Sequence, residues 1–221
     1  MTSLSIKQRR MAIVAAVVLI TGVTYLSVQF SLMPLLIVGV PGVLAYGLWY
    51  VTALQKPLDL AAILPLFLLT VAGFTINSVE EFLGHYGPAV GRLFNFVWTD
   101  QAFVVITLTL IGALLMVAIG LWYRIAMAGL VAIIFLTTRL AEVLMFAFPL
   151  WPPAIQPYFA GPIAQTVSNT LVGEMPTYYL SAVGRYYFPG MFTVALPIIP
   201  AIFALYRIWM DRPSRRDDGP T

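Results

Sequence analysis

The sequence predicts an all-α protein: a polytopic membrane helix bundle with six transmembrane helices, or seven if one polar segment also crosses. Of its 221 residues, 61% are hydrophobic and only 10% are charged, whereas a soluble domain carries about 25% charged residues. Several apolar runs reach the length of about 20 residues that a helix needs to cross the hydrocarbon core. These runs are continuous, unlike the short alternating segments of a membrane β-barrel.

Six apolar runs are the candidate spans. We place them at residues 11–29, 33–53, 58–79, 101–123, 125–148 and 189–209. Tryptophan and tyrosine favour the interface between membrane and water, and they recur here at span ends, as Trp49, Tyr50, Trp98, Trp122, Tyr123, Trp151 and Trp209. A cluster of Gly39, Pro41 and Gly42 predicts a kink in the second span, as Pro65 does in the third.

Residues 160–186 have the length of a span but contain many polar side chains. Cytoplasmic loops of membrane proteins carry an excess of Lys and Arg. A cytoplasmic N-terminus puts Lys56, Arg124 and the basic C-terminal segment in the cytoplasm, which requires an even number of spans. We therefore expect 160–186 to be re-entrant or to lie on the outer face of an inner (cytoplasmic) membrane.

The chain divides into three predicted parts. Residues 1–57 form an N-terminal two-helix membrane segment, 58–210 a helical membrane domain, and 211–221 a disordered basic and polar cytoplasmic tail. The basic start followed by an apolar run imitates a signal peptide, but no small-residue cleavage site follows it, so we expect a permanent anchor. The chain has no cysteine, which excludes disulfides and thiolate chemistry.

The first of three polar groups contains Asn77, Glu80, Glu81 and the only histidine, His85. On a helix, Asn77 and Glu81 share a face, which His85 extends if the helix continues that far. Paired carboxylates can share a proton and so serve acid/base chemistry, and Glu80, Glu81 and His85 are residue types that bind Zn, Mn or Fe. Alternatively, the glutamates mark the polar end of a span and His85 is exposed in a loop.

The second polar group is Arg139 and Glu142, which lie well inside the fifth span. Their i, i+3 spacing allows an ion pair within one helix. Such a pair can stabilise helix packing without taking part in chemistry. Alternatively, Arg139 reaches a carboxylate of another helix or binds an anionic headgroup.

The third polar group, in the 160–186 segment, contains Asn169 and Glu174. Four tyrosines lie nearby: Tyr178, Tyr179, Tyr186 and Tyr187. Glu174 can complete a carboxylate cluster with Glu80 and Glu81, because both regions are predicted on the outer side of the membrane. Alternatively, Glu174 lies in an outer loop without such a role.

Two stretches occur in this order with spans between them: NSVEEFLGHYGP at a helix end, and RYYFPGMFTVALPIIP at the last span. Together they resemble the HXXEE-domain family of bacterial integral membrane proteins, which is named for a His-x-x-Glu-Glu motif. That family also has a further histidine and a Tyr-x-Pro-Gly motif. The resemblance covers roughly residues 58–207 and implies a helical membrane architecture more than an activity.

Residue by residue, the resemblance carries over Glu80 and Glu81 in the first motif. In the second motif it carries over Tyr187, Pro189 and Gly190. Asn77 stands where the family has its first histidine, and no histidine occurs between residues 169 and 186. The His/Glu/Glu set that resembles a metal or proton-transfer site is therefore incomplete here. A divalent metal remains a possible cofactor, although Asn is a poor substitute for an imidazole ligand.

The first functional hypothesis is an intramembrane enzyme that acts on a lipid-like or isoprenoid-like substrate by acid/base chemistry. Its candidate catalytic residues are Glu80, Glu81, His85 and Glu174. Its candidate binding residues are Asn77, Arg139, Glu142, Asn169 and Tyr187. Aromatic residues such as Trp98, Tyr186 and Tyr187 can line an apolar pocket and stabilise developing positive charge.

Two other functions fit the same residues. One is a non-enzymatic structural or assembly subunit of a larger membrane complex, which suits the missing histidines and the small size. The other is a proton-coupled transporter, which suits intramembrane Glu and Arg on broken helices, although no inverted repeat is visible. The expected partners are membrane lipids and other membrane subunits, and no nucleic acid, because the net charge of +3 comes largely from the chain ends.

Overall fold

The computed structural model describes residues 5–29, 32–87, 90, 98–147 and 188–212, and every regular element in these ranges is helical. The long helices are α1 (Ile6–Gln29), α3 (Leu60–Leu83), α4 (Asp100–Trp122) and α5 (Ala126–Ala147). The shorter ones are α2 (Val40–Val51), which a π-helical turn at Leu35–Gly39 precedes, and α6 (Ala195–Met210). All six predicted spans therefore contain a helix.

Four of these helices, α1, α3, α4 and α5, are long and apolar enough to cross a membrane. Many large apolar side chains on their outer faces are exposed, including Val17, Val18, Leu108 and Met116. An apolar surface of this extent is typical of proteins that face lipid. The prediction of helices that are long and apolar enough to cross a membrane is therefore confirmed for these four. The π-helix with α2, and α6, are apolar but shorter.

The π-helical turn lies where the Gly/Pro cluster predicts a kink. Pro41 occupies the first turn of α2, and proline has no N–H to donate to a helical hydrogen bond. The Val40 N–H bonds instead to the Leu35 carbonyl, and this wider turn is a recognised way of bending a helix.

Consecutive helices run in opposite directions. Gln8 Nε2 donates to the Leu54 carbonyl, joining the start of α1 to the end of α2, and Trp49 Nε1 donates to the Ala126 carbonyl at the start of α5. The last helix is antiparallel to α3, because Lys56 before α3 pairs with Asp211 after α6. The helix ends therefore form two opposite faces of the bundle.

One face, here called the basic end, holds the starts of α1, α3 and α5 and the ends of α2, α4 and α6. Its charged side chains are Lys7, Arg9, Arg10, Lys56, Asp59, Arg124, Arg207, Asp211 and Arg212. At or near the other face, the described charged residues are Glu80, Glu81, His85, Asp100, Arg139 and Glu142. In the described part of the chain, cations thus dominate one end and carboxylates the other.

The core forms along α3, which packs most extensively against α6 and also against α4. Helices α2 and α5 form the other main pair. Phe67 and Phe74 of α3 both contact Phe135 of α5 edge-on. The core includes Ala12 and Trp49 together with residues of α3 to α6, so helices from both sides of the predicted boundary at residue 57 share it.

Two helix boundaries differ from the predicted spans in a way that affects the polar residues. Helix α3 continues to Leu83, and Gly84 ends it, so Glu80 and Glu81 lie within the helix. Helix α6 begins only at Ala195, because Pro189–Val194 form a series of turns. The segment Phe188–Val194, which leads into this helix, is the entry turn of α6.

Candidate functional site

The last two turns of α3 carry Asn77, Glu80 and Glu81. Asn77 and Glu81 are buried, with exposed fractions of 0% and 2%. They are four residues apart, so they share one face of the helix, and Asn77 Nδ2 donates to Glu81 Oε1 at 2.6 Å. The helix therefore presents an amide and a carboxyl group, joined to each other, to the interior of the bundle.

Asn77 also binds the entry turn of α6. Its Oδ1 accepts a hydrogen bond from Thr193 Oγ1 at 3.1 Å. The amide thus donates to one element and accepts from another, which satisfies a polar group that would be costly to bury alone.

Glu80 points to the entry turn of α6. Its carboxylate accepts from the N–H groups of Phe192 and Thr193 at 3.2 and 2.8 Å, and from Thr193 Oγ1 at 2.7 Å. A carboxylate near the start of a helix is favourable, because it binds free N–H groups and complements the helix dipole. Glu80 is therefore held by the turn that leads into α6.

Gly190 brings the entry turn against the two buried groups of α3. Its φ of +89° lies in the left-handed region, and a Cβ there would be 2.8 Å from Glu81 Cγ and 3.2 Å from Asn77 Nδ2. Only glycine has both this conformation and this small size without strain. The two stretches that carry the family resemblance are therefore in direct contact.

Arg139 and Glu142 form the predicted ion pair within α5. Arg139 Nη1 donates to both Glu142 oxygens, at 3.2 and 3.0 Å. The guanidinium also lies over the rings of Phe74 and Phe135, 4.6 and 5.2 Å from their centroids. Cation–π contacts of this kind help a buried cation replace its lost hydration.

The side chains of Glu81 on α3 and Glu142 on α5 are both buried and border the same cavity. Two carboxyl groups that face one largely apolar cavity disfavour ionisation of both, so the pair favours holding one proton. With that proton, the pair carries one negative charge, which the single positive charge of Arg139 balances. We call Asn77, Glu81, Arg139 and Glu142 the buried carboxyl cluster.

A cavity of about 320 Å³ borders the buried carboxyl cluster, and Glu81, Arg139 and Glu142 form part of its wall. The remaining wall is largely apolar and aromatic, including Ile37, Phe74, Tyr86, Trp98, Phe103 and Met145. Arg139 Nε is buried and has no hydrogen-bond partner in the described ranges. The cavity therefore combines an apolar interior with one region of ionisable groups, which is the usual composition of a small-molecule site.

Tyr86 is a cavity residue that the sequence did not single out. Its hydroxyl donates to Met145 Sδ at 3.6 Å, and its ring contacts Phe103 and Phe188. Burial, and then the charges of Glu142 and Glu81, raise the pKa of the Tyr86 phenol well above its usual range, while Arg139 opposes them. The phenol therefore stays neutral at physiological pH and can donate a hydrogen bond.

His85 lies apart from the buried carboxyl cluster. The helix ends before it, and its backbone takes a φ of +60°, so it does not extend the face of Asn77 and Glu81. Its side chain is 52% exposed, and Nδ1 lies 2.6 Å from Asp100 Oδ2 at the start of α4. Among the residues that the structure describes, no group of three His, Asp or Glu side chains could hold a metal ion.

Three predicted site residues, Asn169, Glu174 and Tyr187, lie outside the described residues, as does most of the predicted tail. The structure brings together Asn77, Glu81, Arg139 and Glu142, with Glu80 beside them on the entry turn. It adds Tyr86, Gly190 and Thr193 to this region. The sequence offered a signal only for Gly190, through the Tyr-x-Pro-Gly motif.

No protein-family model, curated protein or solved structure matches the chain. The resemblance to the HXXEE-domain family therefore stays a prediction.

Proposed function

We propose that the protein is an intramembrane enzyme that acts on a lipid-like substrate by acid/base chemistry at Glu81 and Glu142. The observation that carries the proposal is that these two buried glutamates both line the wall of a largely apolar cavity of about 320 Å³. A pair of carboxyl groups that shares one proton contains both an acid and a base. It can give a proton to one position of a substrate and remove one from another.

Arg139 keeps this pair close to electrical neutrality. Its Nη1 binds both oxygens of Glu142, so Glu142 is the group held in the ionised form and Glu81 the group that carries the proton. A buried ion pair that lost one partner would leave an uncompensated charge. When Glu81 gives its proton to the substrate, the Arg139 guanidinium stabilises the negative charge left on the carboxylate pair. The rings of Phe74 and Phe135 in turn stabilise the guanidinium.

The cavity favours a substrate with an apolar body and a small polar group. Aromatic side chains such as Tyr86 and Phe103 suit an isoprenoid-like or acyl chain, and they can stabilise positive charge that develops during proton transfer. Arg139 Nε, which has no acceptor in the described ranges, is the donor available to a substrate oxygen. The neutral Tyr86 hydroxyl lies at the same wall and can reach a substrate oxygen by giving up its weak hydrogen bond to Met145 Sδ.

Deuterium exchange tests this proposal without knowledge of the substrate. The purified protein is incubated in D₂O with lipids extracted from the expression host, and lipid masses are recorded over time. Acid/base chemistry at carbon introduces deuterium into one lipid class. We expect Glu81→Gln and Glu142→Gln each to reduce the rate at least ~100-fold, the usual contribution of a general acid or base.

Asp100→Asn is the matched control, because it makes the same chemical change at the same end of the bundle and Asp100 does not border the cavity. It should leave the exchange rate within about twofold, since the described contact of the Asp100 side chain is with His85, outside the cavity. If deuterium exchange is absent with the wild type, or proceeds at an unchanged rate with Glu81→Gln, the proposed enzymatic function is refuted.

A structural subunit is the second candidate, and the contacts of Glu80 favour it. Glu80 and Asn77 both accept hydrogen bonds that join α3 to the entry turn of α6. In a structural protein, Glu81 and Glu142 would fulfil a similar role between α3 and α5. Co-purification with another membrane protein at fixed stoichiometry, together with no deuterium exchange, would support this alternative.

We further propose that the protein crosses an inner membrane six times with its basic end in the cytoplasm. The helix directions support an even number of crossings, because the start of α1 and the end of α6 lie at the same end: Gln8 binds the Leu54 carbonyl, and nearby Lys56 pairs with Asp211. The excess of Lys and Arg at that end supports the orientation. The buried carboxyl cluster then lies nearer the outer face of the membrane.

A further inference from the structure

We propose that the basic end contains a binding site for the headgroup of an anionic phospholipid. A second cavity, of about 490 Å³, lies between the start of α1, the turn after α2 and the turn between α4 and α5. Each of these three elements contributes one cation to the wall, namely Lys7, Lys56 and Arg124. This cavity shares no residue with the one beside the buried carboxyl cluster.

The cations of this site are largely uncompensated. Lys7 and Arg124 have no carboxylate partner within the described ranges, and Lys56 binds Asp211 at 3.0 Å. That ion pair is exposed, with side-chain exposures of 58% and 32%, so water screens it and it contributes little to stability. A phosphate group that enters the cavity can therefore replace Asp211 as the partner of Lys56.

Arg124 is held in an unusual backbone conformation at this site. Its φ is +55°, in the left-handed region that is unfavourable for a residue with a Cβ. The turn is closed by hydrogen bonds from Arg124 N to the Leu121 carbonyl and from Ile125 N to the Gly120 carbonyl. Glycine or asparagine would fit this turn at lower cost, so an arginine here indicates a use for its side chain.

The other walls of the cavity match a lipid better than a soluble phosphate. They include the apolar side chains of Met11, Leu54, Pro57, Ile125 and Met127. The cavity also lies where apolar helices end, which is the level of lipid headgroups. Basic pockets between helices on the cytoplasmic side of membrane proteins are known to bind anionic headgroups. The apolar walls would contact the glycerol and upper acyl chains while the cations bind the phosphate.

Lipid-dependent stabilisation provides the test. The protein is purified in a neutral detergent, and its unfolding temperature is measured in mixed micelles with increasing phosphatidylglycerol or phosphatidylcholine. We expect saturable stabilisation by phosphatidylglycerol only. The double variant Lys7→Gln/Arg124→Asn should weaken the apparent affinity about tenfold or more, because each cation near a charged headgroup contributes about 1 kcal/mol.

Arg9→Gln/Arg10→Gln is the matched control, since it removes the same charge from the same end and neither residue lines the cavity. This variant should keep most of the affinity. An equal loss of phosphatidylglycerol affinity in both double variants would mean that the basic end attracts anionic lipid only through its overall charge. That result would overturn the proposed headgroup site. Equal stabilisation by phosphatidylcholine would do the same, and equal stabilisation by inorganic phosphate would replace the lipid with a soluble anion.

The choice of asparagine separates binding from folding. Asparagine tolerates a positive φ better than arginine does, so Arg124→Asn should not lower the unfolding temperature without lipid. If this single variant is as stable as the wild type and still binds phosphatidylglycerol with unchanged affinity, Arg124 is not part of a headgroup site.

Discussion

Gly190 is the residue at which the two halves of the carboxyl region touch. Its left-handed backbone and the 2.8 Å distance from its Cβ position to Glu81 Cγ leave room for no side chain. The Tyr-x-Pro-Gly motif therefore has a physical role in this chain: its glycine lets the entry turn of α6 lie directly on Asn77 and Glu81.

Gly190→Ala should destabilise the protein by about 1–2 kcal/mol from its backbone conformation alone, and further through the contact with Glu81. Thermal unfolding in detergent measures the change. Gly112→Ala is the control, because nothing lies within 4 Å of its Cβ position in α4, and alanine there should be neutral or slightly stabilising. Equal unfolding temperatures for the two variants would contradict the close contact.

Asn77 illustrates how a departure from a motif can preserve a hydrogen-bonding role. Its amide donates to Glu81 and accepts from Thr193. A neutral imidazole also has one donor and one acceptor nitrogen. The asparagine that stands where the family resemblance implies histidine can therefore join the same two elements while being a much poorer metal ligand.

At the scale of elements, the packing of α3 on α6 depends on a close backbone approach at Gly73. A Cβ at this position would lie 2.5 and 2.6 Å from the carbonyl carbon and oxygen of Leu196. Neither helix can relieve that contact by rotating a side chain, because the atoms in contact belong to the backbone. The approach places the entry turn of α6 within reach of Glu80.

Gly73→Ala should therefore push α6 away from α3 and cost about 1–3 kcal/mol, as overpacking of a core usually does. The unfolding temperature in detergent should fall. Gly47→Ala makes the same change in α2, where nothing lies within 4 Å, and it should leave that temperature unchanged or raise it. An unaltered unfolding temperature for Gly73→Ala would mean that α3 and α6 do not pack this closely.

At the scale of the whole molecule, the separation of charge between the two ends predicts the orientation in the membrane. The basic end combines seven described cations with Asp59 and Asp211. Among the residues that the structure describes, those charged towards the opposite end are mainly carboxylates. Because cytoplasmic segments carry the excess of Lys and Arg, we expect the basic end in the cytoplasm.

Cysteine labelling tests this orientation cleanly, because the natural chain has no cysteine. Single variants Ser5→Cys, at the basic end, and Leu83→Cys, at the opposite end, are treated with a membrane-impermeant maleimide. Leu83→Cys should be labelled in intact cells and Ser5→Cys only after the cells are opened. The reverse pattern would invert the proposed orientation, and labelling of both in intact cells would exclude a membrane barrier between them.

The helical class and the approximate helix positions could be predicted from the sequence, because both depend on local properties. Continuous apolar runs determine where a helix can face lipid, and the i, i+3 spacing of Arg139 and Glu142 was enough to predict their ion pair. The boundaries were less predictable: α3 continues through Glu81 because two of its terminal polar groups are satisfied by the entry turn, which is distant in sequence.

What the sequence by itself determined is thus a bundle of apolar helices with its charges concentrated near the helix ends. Only the tertiary structure decided which of those charges meet. It placed Glu81 and Glu142 on the wall of one cavity, joined Glu80 to the entry turn of α6, and left His85 beside Asp100. The reason is that such contacts depend on the rotation and separation of packed helices, which small residues such as Gly73 and Gly190 control and which no local pattern records.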